Sequence, residues 1–303
     1  MRNKMVDVKP NRKSEGNKAF HITNYIFLGL ILLLVAYPLY FIVIASISAP
    51  NLVNTGQITL IPRGITFEGY KSVFADDSIM TGYKNSLIYT TLGILCSVVT
   101  TVLAAYALSV KTLPGRRLWM LLIVFTMYFS GGMIPTYLVV NKLGLTNTIW
   151  SLIIPSLVVP YNLIIARSFF ESSIPGELHE AAMLDGCNEY DFFKKVALPL
   201  SKAIIAIMVL FYGVAQWNTY FNAMLYIKDQ ALYPLQLVLR NILVENQVSA
   251  EMVGDTVAAA ARAEKAELIK YVSIIVSIVP LMIMYPFVQK HFVKGVLIGS
   301  VKG

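Results

Sequence analysis

The chain has 303 residues, of which 56% are hydrophobic and only 14% are charged, and its mean hydropathy is +0.64. A soluble domain carries about 25% charged residues, so this composition excludes an ordinary soluble enzyme, a disordered regulator and a fibrous repeat. The net charge of +8 suits a membrane protein, because cytoplasmic loops collect Lys and Arg. The two cysteines, Cys96 in an apolar run and Cys187 in a polar loop, predict no disulfide and are too few for a metal framework.

The apolar residues form six blocks that could each cross a bilayer, at about 20 residues per crossing. The first block could instead be the core of a cleaved signal peptide, but such cores run about 7 to 15 residues and this block is longer. The sequence therefore predicts an all-α polytopic membrane protein with six transmembrane helices. The spans are expected at about 24–47, 85–110, 118–140, 149–170, 200–222 and 268–288.

The distribution of basic residues predicts that both termini are cytoplasmic. In that orientation the basic loops 111–117 and 171–199 and both tails lie inside, as the positive-inside rule requires. An Ala-rich stretch, 258–263, is expected to form an extracellular helix before the last span. The resulting layout has a basic cytoplasmic tail (1–23), a first transmembrane helix with an extracellular loop (24–84), a five-helix core (85–288) and a cytoplasmic C-terminal tail (289–303).

The sequence offers no site for catalysis, metal or cofactor binding. The P-loop pattern is absent, since no Gly-Lys pair occurs, and the three histidines are widely separated. None of the apolar blocks has a carboxylate near its centre, where a proton-driven carrier would place one. If the chain belongs to a pump, its energy must come from another subunit. A self-contained channel or membrane enzyme is disfavoured for the same reasons.

One apolar block carries small residues at every fourth position. Such a stripe lets helix backbones approach closely in lipid, where the hydrophobic effect cannot drive association. It is interpreted as a packing seam, with a seam that also slides during transport as the alternative. Its members are Gly93, Ser97, Thr101, Ala105 and Ser109.

Two segments are candidates for a substrate path. In the third span Gly131, Gly132 and Pro135 should weaken the helix, and discontinuous helices often flank a path, although a static kink explains them equally well. At the end of the fifth span, aromatic and amide side chains resemble those of a sugar site, but an interfacial belt or bundle packing is the favoured interpretation. This second set is Tyr212, Gln216, Trp217, Asn218 and Tyr220, with Tyr212, Gln216 and Tyr220 on one face.

The cytoplasmic loop 174–200 has the sequence IPGELHEAAMLDGCNEYDFFKKVALPL. Pro175 suits the first turn of a helix and Gly186 can end it in the left-handed conformation. A second helical piece at about 188–196 is expected to be broken by Pro199, which starts the fifth span. The first helix should present one face, formed by Leu178, Ala181, Ala182 and Asp185, to a partner protein. The alternative is an amphipathic connector on the membrane surface.

Glu180-Ala181-Ala182-x-x-Asp185-Gly186, followed by Phe193 and Leu198-Pro199-Leu200, closely resembles the EAA loop of binding-protein-dependent ABC transporter permeases. Asp185-Gly186 and the six spans look most like the carbohydrate-uptake (maltose-type) class, and its oligosaccharide branch in particular. Segments 131–135 and 292–300 are also similar to that branch. Ala203 departs from the pattern, because many members have a proline there, and this puts in doubt the exact start of the fifth helix.

The resemblance implies a type I ABC importer permease fold in the bacterial cytoplasmic membrane. It implies two cytoplasmic ATPase subunits that bind ATP and Mg, a second and non-identical permease subunit, and an extracytoplasmic solute-binding protein. Oligosaccharides are the implied solute, with an osmolyte, peptide or amino acid as the alternative, because the EAA loop contacts the ATPase and not the solute. The implied coupling residues are Leu178, Glu180, Ala181, Ala182, Asp185, Gly186, Phe193, Leu198 and Pro199.

Overall fold

The computed structural model describes residues 17–252, 269–286 and 289, and all regular elements in these ranges are helices. The predicted extracellular helix at 258–263 and nearly all of the C-terminal tail lie outside the described residues. The helices are α1 (Asn17–Ser46), α2 (Pro50–Asn54), α3 (Glu68–Phe74), α4 (Asp77–Ser109), α5 (Arg116–Tyr128), α6 (Met133–Lys142), α7 (Trp150–Ile153), α8 (Pro160–Ser173), α9 (Gly176–Leu184), α10 (Glu189–Phe192), α11 (Leu198–Leu200), α12 (Lys202–Trp217), α13 (Phe221–Tyr226), α14 (Leu235–Met252) and α15 (Ile269–Pro286).

The chain divides into two compact units, Met1–Thr66 and Phe67–Gly303. In the first unit, α1 begins seven residues before the end of the predicted tail, at Asn17. The loop that follows α2 is tied back to α1 by the hydroxyl of Tyr40, which donates to the carbonyl of Leu60 at 2.6 Å. Tyr37 makes a similar bond to the carbonyl of Thr59 at 3.3 Å. These two hydrogen bonds hold the loop against α1.

The second unit is organised around α4, which packs against α8, α12 and α14. The small-residue stripe of α4 lies at these contacts, and Ser97, Thr101 and Ala105 are fully buried. The largest apolar cluster joins α4, α8, α10 and α12, and includes Val102 and Phe170. The structure thus confirms the stripe as a packing seam.

Three of the predicted spans are continuous helices and three are broken. Helices α1, α4 and α15 are long and apolar enough to cross a membrane. Each of the other three spans consists of two helical segments joined at a bend. The bend is 117° between α5 and α6, 52° between Trp150–Ser156 and α8, and 76° between Glu189–Leu200 and α12. Six spans result if each pair counts as one. The predicted spans at 118–140, 149–170 and 200–222 are therefore each made of two helical segments.

The third span breaks at the glycines that the sequence singles out. Gly132 has a φ of +86°, a conformation that L side chains rarely adopt, and α6 starts directly after it. Pro135 falls in the first turn of α6, where its missing N–H costs no helical hydrogen bond. The hydroxyl of Thr136 donates to the carbonyl of Gly132 at 2.8 Å. The chain bends by 117° at this break, so the third span is interrupted where the sequence predicts a weakened helix.

The fifth span starts at a different residue from the predicted one. Helical backbone continues through Pro199 to Leu200, and the bend falls at Ser201, whose hydroxyl donates to the carbonyl of Ala197 at 2.7 Å. Pro199 lies two residues after the π-helical turn Phe193–Ala197, so its missing N–H falls at an already irregular part of the helix. The break predicted at Pro199 thus falls two residues later, at Ser201. The helix of the span is α12, which begins at Lys202.

A prediction concerns Gly93, where a Cβ atom would come within 2.8 Å of Cγ of Gln216. We expect Gly93→Ala to displace Gln216 and to destabilise the protein by about 1 to 3 kcal/mol, as overpacked sites do. Thermal unfolding in detergent measures this. The control is Gly29→Ala in α1, because a Cβ there meets no atom within 4 Å. Combining Gly93→Ala with Gln216→Ala should cost less than the sum of the single changes. Additive costs would contradict the close approach.

Candidate functional site

The outer face of α9, the first helix of the 174–200 loop, is not covered by the rest of the described chain. Leu178, Glu180 and Ala181 are exposed, and the side chain of Leu184 is 90% exposed. Ala182 instead packs, half-buried, against the cluster that joins α4, α8 and α12. The predicted face is therefore divided, with Ala182 directed to the chain's own core. The exposed leucines of α9 suit a partner protein as well as the membrane surface, the two interpretations of this helix.

The end of α9 is built by Gly186. Its φ is +84°, and its amide donates to the carbonyl of Met183 at 3.1 Å, while the Cys187 amide donates to the carbonyl of Ala182 at 3.0 Å. These bonds satisfy carbonyls that a helix end otherwise leaves unpaired. A Cβ at Gly186 would meet no atom within 4 Å, so the backbone conformation alone selects glycine. The sequence correctly predicts this turn. Pro175, however, is the cap that precedes Gly176–Leu184 and not a first-turn residue.

The second part of the loop begins with a capped turn. Oδ1 of Asn188 accepts from the Asp191 amide at 2.8 Å, and α10 runs from there to Phe192, whose side chain is fully buried. The next turn, Phe193–Ala197, is a π-helix. Of the predicted coupling residues in this part, Phe193 and Leu198 are half-buried, whereas Pro199 is exposed, as Asp185 is at the end of α9.

A polar and aromatic cluster, the anchor cluster of Tyr106, His179, Glu189, Phe192 and Phe193, fastens this loop to the end of α4. Nε2 of His179 lies 3.0 Å from Oε1 of Glu189, and the Tyr106 hydroxyl donates to Oε2 of Glu189 at 3.3 Å. The ring of Phe193 lies 4.8 Å from that of Tyr106, and the ring of Phe192 lies 4.9 Å from that of His179. The two parts of the loop are thus joined to each other and to α4.

The same end of α4 is held by two arginines. Nε of Arg116 and Nε of Arg167 both donate to the carbonyl of Leu108, at 2.9 and 3.1 Å. Both guanidinium groups also form ion pairs with Glu171. Positive charge near the last carbonyls of a helix is favourable. Helices α4, α5 and α8 therefore meet at one charged junction beside the loop.

A cavity of about 600 Å³ lies between this junction and α9. Its wall includes Lys111, Pro175, His179 and Glu180. Glu180, one of the implied coupling residues, therefore lines a cleft and is not isolated on the surface.

The predicted substrate-path residues fall into two groups. Tyr212, Gln216 and Trp217 are buried and hydrogen-bonded inside the bundle. The Tyr212 hydroxyl lies 2.7 Å from Oγ1 of Thr101 and accepts from the Val159 amide at 3.1 Å. Nε2 of Gln216 donates to the carbonyl of Leu152 at 3.4 Å, and Nε1 of Trp217 donates to that of Ser277 at 2.8 Å. Bundle packing thus accounts for these three residues.

The other path candidates are at the surface. Asn218, Tyr220, Gly131, Gly132 and Pro135 are all exposed. Helix α12 ends at Trp217, so the expected single face does not continue to Tyr220. Tyr212, Gln216 and Trp217 thus lie inside the bundle, whereas the glycine segment lies at its surface.

The amino-acid sequence alone does not predict the anchor cluster. Tyr106 lies within an apolar block and is 83 residues from Glu189, and no local pattern connects two such positions. A polar hydroxyl at the end of a span was the one available signal.

Comparison with known proteins gives the family. No protein-family model matches the chain. It is 42% identical over 288 residues to the polygalacturonan/rhamnogalacturonan transport system permease protein YtcP of Bacillus subtilis (strain 168), covering 95% of this chain and 99% of that protein. It is 40% identical over 299 residues to protein LplC of the same organism, covering 99% and 100%. The chain belongs to the carbohydrate ABC transporter permeases.

A solved structure agrees with this assignment. The permease matches a chain of a bacterial ABC transporter involved in the import of the acidic polysaccharide alginate, with a TM-score of 0.82 and 34% identity. The match covers 93% of the permease and 100% of that chain. YtcP is named as a transport system permease protein, and the chain is accordingly a helical membrane protein that serves as a transporter subunit and not as an enzyme.

A second prediction tests the anchor cluster of the permease. Glu189→Ala removes the partner of both His179 and Tyr106, and we expect the amides of α9 to exchange hydrogen about fivefold faster, as a loss of about 1 kcal/mol implies. The matched control is Asp191→Ala in the same short helix, which removes only the surface ion pair with Lys195. Mass spectrometry of the lipid-reconstituted protein measures the exchange. Equal acceleration in both variants would contradict the role of Glu189.

Proposed function

We propose that this chain is one of two non-identical permease subunits of an ATP-driven, binding-protein-dependent oligosaccharide importer in the bacterial cell membrane. It would form half of the translocation path. It would couple to cytoplasmic ATPase subunits through the 174–200 loop, with both of its termini in the cytoplasm. The observation that carries the coupling role is the open face of α9 on a loop that the anchor cluster joins to α4.

The character of the open face supports a protein partner. On α9 the side chains of Leu184 and Leu178 are 90% and 40% exposed. The acidic residues Glu177 and Glu180 belong to the same helix. A short helix with this mixture fits a groove that buries the apolar side chains and pairs the carboxylates with basic or backbone groups. The ATPase subunits would bind ATP and Mg, and this chain would hold neither.

The mechanism we propose is the transmission of force and not chemistry. When the ATPase subunits close, they would move α9, and Glu189, His179 and Tyr106 would carry this motion to the end of α4. Because α4 packs on α8 and α12 along closely fitted small residues, a shift of α4 would be shared by the bundle. Such coupled shifts of packed helices are how transporters and other switches change state.

The names of two relatives support oligosaccharides as the solute. YtcP is named for polygalacturonan and rhamnogalacturonan, and the solved transporter is described as an importer of alginate. A non-sugar solute such as an osmolyte, peptide or amino acid is the alternative within the same architecture.

A third prediction compares Gly186, in the turn that ends α9, with Gly176, at the start of α9. Gly186→Ala forces an alanine into the left-handed region, at a cost of about 1 to 2 kcal/mol, and should distort the end of α9. We expect fewer ATPase subunits to copurify and less ATP hydrolysis per transporter. Gly176→Ala is the matched control, because a Cβ there also meets no atom within 4 Å and its φ is not positive. Equal ATPase recovery with both variants would argue against coupling through this turn.

The fourth prediction tests the function itself. The tagged chain is copurified with its partner subunits, placed in lipid vesicles, and given the binding protein with a panel of oligosaccharides. We expect one class of oligosaccharide to stimulate ATP hydrolysis several-fold. Stimulation by a non-sugar solute alone would overturn the substrate, and failure of any ATPase to copurify under gentle extraction would overturn the importer.

A further inference from the structure

Helices α5 and α6 leave almost all of their surface uncovered by the rest of the described chain. None of the residues of α5 is buried, and Val140 is the one buried residue of α6. Residues 118–141, which include most of both helices, carry no charged side chain. An apolar surface of this kind lies either in lipid or against another membrane protein.

The bend between these two helices falls inside the hydrocarbon layer. Helix α5 has 13 residues, which span about 20 Å at 1.5 Å per residue, whereas the hydrocarbon core is about 30 Å thick. In the predicted topology α5 enters the membrane from the cytoplasm at Arg116. The chain therefore reaches the 117° bend before it has crossed the bilayer.

The bend, which we call the elbow (residues 128–134), contains backbone groups that lipid cannot satisfy. Within the described chain, the amides of Ser130 and Gly131 and the carbonyl of Phe129 make no hydrogen bond. The amide of Gly132 is paired locally, since it donates to Oγ of Ser130 at 3.1 Å. Irregular backbone at membrane depth is tolerated only where protein covers it or where it lines a water-filled cavity. Lipid alone therefore does not cover the elbow.

The side chains around the elbow favour protein over water. Tyr128 is 74% and Phe129 is 66% exposed, and Met133 and Ile134 are exposed on the other side of the bend. The ring of Phe129 stacks on that of Phe125 at 4.5 Å. A water-filled cavity would leave this set of large apolar side chains wet, which the hydrophobic effect opposes.

The Tyr128 hydroxyl also needs a partner. It makes no hydrogen bond within the described chain. Tyrosine hydroxyls in neighbouring spans are paired inside the bundle, as Tyr89 donates to the carbonyl of Leu232 at 3.0 Å and Tyr212 lies 2.7 Å from Oγ1 of Thr101. A tyrosine hydroxyl away from water usually finds a partner, and lipid tails offer none. The surface that covers the elbow is therefore apolar and also carries hydrogen-bonding groups.

The size of the uncovered surface fits another subunit. Helix α5 has 13 residues and α6 has 10, which compares with the roughly 20 to 30 residues that each partner contributes to a specific interface. Of the partners in the proposed importer, the ATPase subunits bind on the cytoplasmic side and the binding protein outside. The second permease is the partner that lies in the membrane, at the depth of the elbow.

We propose that the elbow is a contact surface for the second, non-identical permease subunit. That subunit covers the open backbone between α5 and α6 and accepts a hydrogen bond from the Tyr128 hydroxyl. The assignment rests on the proposed function, because it presumes an importer with two permease subunits.

The test is photo-cross-linking in the assembled transporter in lipid nanodiscs. Benzoylphenylalanine replaces Phe129 in one variant and Leu95 in the matched control. Leu95 is 60% exposed on α4, a continuous helix whose backbone lipid can cover. We expect the Phe129 variant to form a cross-linked band that contains the second permease, and the Leu95 control to form none. Mass spectrometry identifies the attached protein.

A second measurement removes the hydroxyl alone. With Tyr128→Phe we expect the second permease to dissociate in detergent about threefold more readily, which is the usual effect of one hydrogen bond between membrane helices. Tyr25→Phe is the control, because Tyr25 is equally exposed but lies at the predicted start of the first span, where water can pair its hydroxyl. Equal dissociation of the two variants would overturn the Tyr128 contact.

The other outcomes separate the elbow from its alternatives. Cross-linking of Phe129 to lipid alone, or equal cross-linking from both positions, would overturn the proposed contact surface. Labelling of Phe129→Cys by a water-soluble maleimide in the assembled transporter would overturn it in favour of a water-filled path.

Failure of the proposed function gives a different result. If no second permease copurifies with the chain, or if the cross-link joins two copies of this chain, the importer with two non-identical permeases is wrong. If a second permease copurifies but does not cross-link to the elbow, only the elbow assignment falls.

Discussion

The close approach of helices to α4 is the constraint on which the second unit depends. Along one side of α4 the residues at every fourth position are small, and Ser97, Thr101 and Ala105 are fully buried. Because lipid supplies no hydrophobic force between helices, tight van der Waals contact and a few hydrogen bonds must hold them together. At Gly93 the space is taken by the Gln216 side chain, and at Thr101 by the Tyr212 hydroxyl. A larger residue at either position would separate α4 from α12.

The broken spans explain why polar side chains lie inside such an apolar protein. Each break frees backbone groups that lipid cannot satisfy, and the structure pairs several of them with side chains from other helices. The Tyr212 hydroxyl accepts from the Val159 amide just before α8. The Gln216 side-chain amide donates to the carbonyl of Leu152 in the last turn of α7. Two side chains with the chemistry of a sugar site are thus used to support irregular backbone. Residue type alone therefore does not distinguish a sugar-binding side chain from one that satisfies backbone hydrogen bonds.

The sequence predicts periodic and local features well and long-range contacts poorly. The stripe of α4, the glycine break at Gly132 and the turn at Gly186 all follow from residues close together in the chain. The predicted helix ends are less accurate. Helix α4 begins at Asp77 and not near residue 85, and Asp76 caps it by accepting from the Ser78 amide at 2.9 Å. A hydropathy window does not register such a cap. The contact of Tyr106 with Glu189 depends on the packing of α4 against the loop, which no local pattern encodes.

The length of α4 gives it contacts with both ends of the second unit. Near its C-terminal end, Tyr106 and the Leu108 carbonyl meet the anchor cluster and the arginine junction. Near its N-terminal end, Oγ of Ser86 accepts from the Leu235 amide at 2.8 Å, at the start of α14. Twenty residues of helix span about 30 Å, so one continuous helix extends from the EAA loop to the start of α14. A displacement at the loop would therefore reach α14 without an intervening hinge, because α4 is continuous between these contacts.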